Sequence, residues 1–101
     1  MDLSENKAVS QLMDVVAGLK TKEECLAFFS DICTIKELLD LGQRLEVALA
    51  LDEGLNYQEI SQKTGVSSAT ISRVNRCLMY GDGGYKMAID RIKTGKSEGT
   101  V

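Results

Sequence analysis

The chain has no proline, no histidine and no tryptophan in 101 residues. Average usage would supply several prolines, roughly 5% of the chain, and each would break or kink a helix interior. Strand-like alternation of apolar and polar residues is missing too. These absences predict an all-α fold. The lack of histidine removes the commonest general base and metal ligand. The cysteines Cys25, Cys33 and Cys77 contain no C-x-x-C pair, which argues against a structural zinc site or any other bound metal. Cys25 and Cys33 fall on apolar faces and read as small core residues. The carboxylates sit at helix starts or on solvated faces, and no cysteine has a base within reach of argument. The chain therefore does not read as an enzyme and calls for no cofactor. No apolar run is long enough to span a membrane and no signal peptide stands out. A cytoplasmic protein with reduced thiols is expected.

Charge is scarce in sum but uneven in place. The formal net charge is -3. Residues 1–53 carry 11 acidic and 5 basic side chains, a net of -6, whereas residues 54–101 carry 4 acidic and 7 basic, a net of +3. The second half can face a polyanion while the first is held away from it.

Residues 56–78, NYQEISQKTGVSSATISRVNRCL, read as a helix-turn-helix. The first helix is expected from Tyr57 to Thr64, the turn at Gly65, and the second helix from Ser67 or Ser68 to about Tyr80. Ile60, Val66, Ile71, Val74 and Leu78 should clamp the two helices, the last three at three- and four-residue spacing. The opposite face offers Ser68, Ala69, Ser72, Arg73 and Arg76. Small residues let a helix approach base edges, and arginines reach guanines or phosphates. No acidic residue lies between Gly65 and Gly81. The expected DNA-binding set is Gln58, Gln62, Lys63, Ser67, Ser68, Ala69, Thr70, Ser72, Arg73 and Arg76. Ser68 to Thr70 read bases, while Gln58, Gln62 and Lys63 contact phosphates or flank the groove. An ordinary helical hairpin with a polar face is the bland alternative.

Four further helices are expected around it. The first covers Glu5 to Leu19, with Val9, Leu12, Met13, Val16 and Leu19 as its stripe. The second starts from Thr21, where Thr21 and Glu24 form a reciprocal capping box, and buries Cys25, Phe28, Phe29 and Ile32. The third starts at Thr34 with a Thr34–Glu37 box, runs to about Glu53 and stops at Gly54. Its apolar residues, from Ile35 through Leu45 to Ala50, cover more than half its circumference. A helix on a small monomer needs a narrower stripe, so burial from two sides, with a second subunit on one of them, is expected. Asn56 and Glu59 form a third box. The last helix covers Tyr85 to Lys93, with Met87 or Ala88, Ile89 and Ile92 inward. The expected organisation is one domain over 1–93, with dimerisation helices in 1–54, the helix-turn-helix in 56–80, a C-terminal helix in 84–93 and a flexible tail over 94–101.

The order of elements, with T34-I-K-E-L-L-D-L-G-Q-R44, Q58-E-I-S-Q-K-T-G65 and A69-T-I-S-R73, resembles the tryptophan repressor superfamily. Within it the chain is most similar to the small YerC/YecD-type relatives. The resemblance covers roughly residues 10–93 in helix order and 34–78 in motifs. It implies a six-helix, all-α Trp-repressor-like fold, an intertwined homodimer, and a double-stranded DNA partner bound by a transcriptional repressor. A twofold dimer would set two recognition helices about one DNA turn, roughly 34 Å, apart. It also implies an effector pocket at Arg44 and Arg73, with Thr34 and Cys77 as further candidates. Two departures count against tryptophan as the effector. Val74 stands where the repressor has glycine and would intrude on the ring site. Cys77 replaces a serine, and a thiol is the weaker hydrogen-bond partner. The helix-turn-helix is also one residue shorter before Gly65. A dimeric helical protein-interaction module without sequence-specific DNA binding is the competing function.

Overall fold

A computed structural model describes residues 2–95. Its helices are α1 (Lys7–Ala17), α2 (Lys22–Ile32), α3 (Ile35–Asp52), α4 (Tyr57–Thr64), α5 (Ser68–Tyr80) and α6 (Gly84–Thr94), and no strand occurs among the described residues. The six expected helices are all present. The chain divides into two compact units, Met1–Leu38 and Leu39–Val101.

In the first unit, local chemistry sets the helix ends. The helix expected from Glu5 to Leu19 is shorter. Leu3–Glu5 forms a separate 3-10 turn, and the Asn6 side chain accepts from the Val9 N–H to start α1 at Lys7. A side-chain cap at Asn6 competes with continued helix there. Asp2 caps the 3-10 turn, and hydrogen bonds from the Ser4 hydroxyl and backbone hold its carboxyl below the ordinary value. Thr21 accepts from the Glu24 N–H at 3.0 Å, but Glu24 Oε1 accepts from the Lys20 N–H at 2.9 Å, not from Thr21. The expected reciprocal box is therefore shifted by one residue on its second arm. At Thr34 and Glu37 both arms form, at 2.8 and 3.0 Å.

No described residue of α1 or α2 is buried. Val9, Leu12, Val16, Cys25, Phe28, Phe29 and Cys33 are half-buried, and Phe28 meets Phe29 edge to face at 5.5 Å. Met13 and Ile32, expected inward, are exposed. The apolar faces that periodicity marks are half-covered at most.

The second unit has a closed core. Val47, Ala48 and Ala50 of α3 pack with Ile60, Val66, Ile71, Val74 and Ile89, and with the partly buried Leu49, Leu51, Leu55, Leu78 and Tyr85. Each fully buried isoleucine or valine contributes roughly 1.5–3 kcal/mol. Helix α3 ends at Asp52, where the Gly54 N–H donates to the Leu51 carbonyl and the Leu55 N–H to that of Ala50, the Schellman pairing that satisfies orphan carbonyls. At Gly81, after α5, a Cβ would collide with the Cys77 carbonyl, which accepts the Gly81 N–H. Helix α6 is longer than expected and includes Thr94. Ile89 is buried and Ala88 half-buried, whereas Met87 and Ile92 are exposed. Of the tail expected over 94–101, Thr94 is helical and Gly95 caps the helix; residues 96–101 lie outside the described residues.

Candidate nucleic-acid interface

The turn between α4 and α5 is built from short-range hydrogen bonds. Asn56 and Glu59 form a complete capping box at the start of α4, at 2.8 and 2.9 Å. At its end Gly65 takes the left-handed conformation, φ 78°, and its N–H donates to the Ser61 carbonyl. Glycine enters this region without the steric cost of a Cβ. The Ser61 hydroxyl donates to the Val66 carbonyl at 2.8 Å and the Thr64 hydroxyl to the Ile60 carbonyl at 2.7 Å. The Val66 N–H donates to Thr64 Oγ1 at 3.3 Å. Ser67 then caps α5 by accepting from the Thr70 N–H at 3.2 Å.

The buried residues of this pair are all apolar. Ile60, Val66, Ile71 and Val74 are buried, and Leu78 is half-buried against them. The chain reaches the helix-turn-helix from α3 by a polar contact as well. Gln43 Nε2 donates to the Thr64 carbonyl at 3.0 Å, across 21 positions of sequence.

The outer side of α5 is exposed at Ser68, Ala69, Arg73 and Arg76, with Ser72 half-buried among them. Three- and four-residue spacing gathers Ala69, Ser72, Arg73 and Arg76 on one face. Ser67 is exposed but engaged as the cap. Thr70 lies toward the core side, half-buried, with its hydroxyl 3.3 Å from that of Ser67. Gln58, Gln62 and Lys63 of α4 are exposed. The arrangement presents small, neutral side chains at the first turn of α5 and two guanidinium groups behind them. Such a surface can approach base edges and pair with phosphates.

Two features of the surface escaped the sequence reading. Tyr80 continues the Ala69–Arg73–Arg76 face and is 84% exposed. Ser61, which helps fix the turn, and Gln43, which joins it to α3, carry no motif of their own; the only pointer to Gln43 was its place in L-G-Q-R beside Arg44.

The candidate effector residues are divided between the two units. Thr34 belongs to the first unit, where its hydroxyl is taken by the α3 cap. Arg44, Arg73 and Cys77 are exposed residues of the second unit. Val74 is 1% exposed and is a core residue of the helix-turn-helix. Among the described residues, no three His, Cys, Asp or Glu side chains cluster as metal ligands, and no helix is long and apolar enough to cross a membrane.

Comparison with known proteins gives the same fold. The chain is 50% identical to the uncharacterized protein YerC of Bacillus subtilis (strain 168) over 98 residues, 97% of this chain and 94% of that one. A TrpR-like protein from Eubacterium eligens ATCC 27750 superposes with a TM-score of 0.85 at 48% identity, over 89% of this chain and 93% of that one. A protein from Staphylococcus aureus described as a candidate Trp repressor superposes with a TM-score of 0.85 at 41% identity, covering 92% and 95% of the two chains. The family model for Trp repressor protein matches residues 7–93. On that span and those identities, the chain belongs to the Trp repressor protein family.

Proposed function

We propose that this protein is a sequence-specific, double-stranded-DNA-binding transcriptional regulator, a repressor, acting as a homodimer. The observation that carries the reading is the outer face of α5. Ser68, Ala69, Arg73 and Arg76 are exposed there, with no carboxylate between Gly65 and Gly81 in a chain that is acidic overall. Ser68, Ala69, Ser72 and Arg73 address the bases, Thr70 being half-buried beside the Ser67 cap; Gln58, Gln62, Lys63, Ser67 and Arg76 address the backbone. The reading places the protein with DNA in the cytoplasm and makes it a binding protein, not an enzyme.

Support for the homodimer comes from surfaces that this chain leaves uncovered. Ile35 is 82% and Leu39 68% exposed on α3. Gly42 follows Leu39 by three residues, and a Cβ there would meet nothing within 4 Å. A glycine inside a helix costs about 1 kcal/mol relative to alanine, and no contact of this chain explains it. Close approach of a second copy's backbone would.

Tryptophan is not a strong effector in this reading. Cys77 is a weak polar partner for an amino group, whereas Val74 faces the core and does not obstruct the exposed Arg73 side. A binding titration should give no micromolar tryptophan affinity coupled to tighter DNA binding.

The test is a gel-shift series on a selected operator and on scrambled DNA at several salt concentrations. Wild-type protein should prefer the operator. Replacing Arg76 or Lys63 should weaken both DNAs alike and lower the salt slope by roughly one unit per lost phosphate contact. A bulky residue at Ser68 or Ala69 should change which sequence is preferred. Equal binding to both DNAs by wild-type protein would refute site-specific recognition. The exposed Met79 and Tyr80 favour a second reading, a protein-interaction module, because large apolar side chains anchor protein partners. Absence of DNA binding even at low salt would select it.

A further inference from the structure

We propose that Gln43 is a positioning residue for DNA readout: its side-chain amide fastens the turn of the helix-turn-helix to α3 and fixes the angle at which α5 enters the groove. The proposal rests on the DNA-binding reading above and adds to it a residue that touches no DNA.

The geometry separates two sets of bonds. The turn holds its own conformation through Ser61, Thr64, Gly65 and Val66, all within a few residues of one another. None of these bonds relates the turn to α3. The Gln43 amide does, by donating to the Thr64 carbonyl at 3.0 Å in a half-buried setting. Thr64 is the last residue of α4, and its carbonyl is one of the four that a helix end leaves without an intrahelical donor. Gln43 thus caps α4 from outside.

The remaining link between α3 and the helix-turn-helix is apolar packing through Val47, Ala48 and Ala50 against Ile60, Ile71 and Val74. Apolar burial is strong but non-directional. It holds the helices together and tolerates small rotations between them. A hydrogen bond weakens steeply with misalignment, so the amide supplies the orientation that the core does not. One helix, α3, carries both Gln43 and the exposed Leu39–Gly42 face. A bond from α3 to the turn therefore ties the pose of α5 to the face that would meet a second copy. Half-site spacing depends on that relation.

The test compares the full-length wild type with Gln43→Met, which keeps the length of the side chain and loses the donor. The melting temperature should fall by less than about 8 °C, as for loss of a single hydrogen bond in a domain of this size. Affinity for the selected operator should fall roughly threefold to tenfold. Affinity for scrambled DNA at low salt should stay unchanged, so discrimination drops. Operators with one base pair added or removed between half-sites should lose less affinity relative to the parent site than they do with wild-type protein. Gln43→Lys, which restores a donor, should recover the wild-type spacing preference. A folded Gln43→Met protein with wild-type discrimination and spacing preference would overturn the proposal, as would a proportional loss on both DNAs. If Gln43→Met does not fold, a folded Gln43→Lys protein with relaxed spacing overturns it equally. Wild-type protein that shows no operator preference defeats the DNA-binding reading first, and the positioning role falls with it.

Discussion

The two units of this chain both carry apolar helix faces and are unequal in what they bury. Residues 39–95 close a core in which Val47, Ala48, Ile60 and Ile71 are all 0% exposed. Residues 2–38 contain two amphipathic helices and no buried side chain among the described residues. Small domains bury a limited share of their surface, but a unit with complete helix caps and nothing buried is a different case. Its helices are specified locally and lack a core of their own. The proposed homodimer would account for the contrast: the helix-turn-helix unit packs on itself, and the N-terminal helices would find their cover on a second chain.

The sharpest way to break that contrast is to truncate one side chain in each unit. Ile71→Ala should cost roughly 2–5 kcal/mol in chemical denaturation, as expected for a cavity in a closed core. Phe28→Ala removes a side chain that this chain only half covers. If a second copy completes the core, its cost should approach that of Ile71→Ala and grow as the protein is diluted. A concentration-independent cost below about 1 kcal/mol would mark Phe28 as a surface residue.

A charge on the uncovered face comes next in size. Leu39→Asp leaves the core of residues 39–95 untouched, since Leu39 is 68% exposed. Burying an unpaired carboxylate at an interface costs several kcal/mol. Sedimentation should therefore show the dimer weakened by roughly 100-fold or more, about 2.7 kcal/mol. An unchanged sedimentation coefficient would place the interface elsewhere.

The smallest effect lies inside the well-packed unit. Gly65→Ala puts a Cβ into open space at φ 78°, so its cost is conformational alone, about 1 kcal/mol. Thermal unfolding should register it without any change in oligomeric state.

What the sequence revealed follows the range of the forces involved. The boxes at Thr34–Glu37 and Asn56–Glu59 and the left-handed Gly65 were legible because each is decided within four residues. The inward set Ile60, Val66, Ile71 and Val74 was legible because α4 and α5 are adjacent and short. The shortened α1 was missed because Asn6, a good cap, sits inside an otherwise helical pattern. Met13, Ile32 and Ile92 fall on the inward faces yet are exposed, because periodicity identifies an apolar face without naming what covers it. The Gln43–Thr64 bond joins residues 21 apart, and no local spacing encodes it. For the candidate interface, the sequence pattern places Ser68, Ala69, Ser72, Arg73 and Arg76 on an outer face, and of these only Ser72 is half-buried. That Thr70 turns toward the cap became visible only once α5 was placed.

The most direct measurement is selection of bound sequences from a random duplex pool by the full-length protein. A homodimer reading DNA through α5 predicts enrichment of two inverted half-sites with a fixed centre-to-centre separation of about one helical turn, roughly 10 base pairs. A pool with no enriched sequence, or with single half-sites at no fixed spacing, would contradict it.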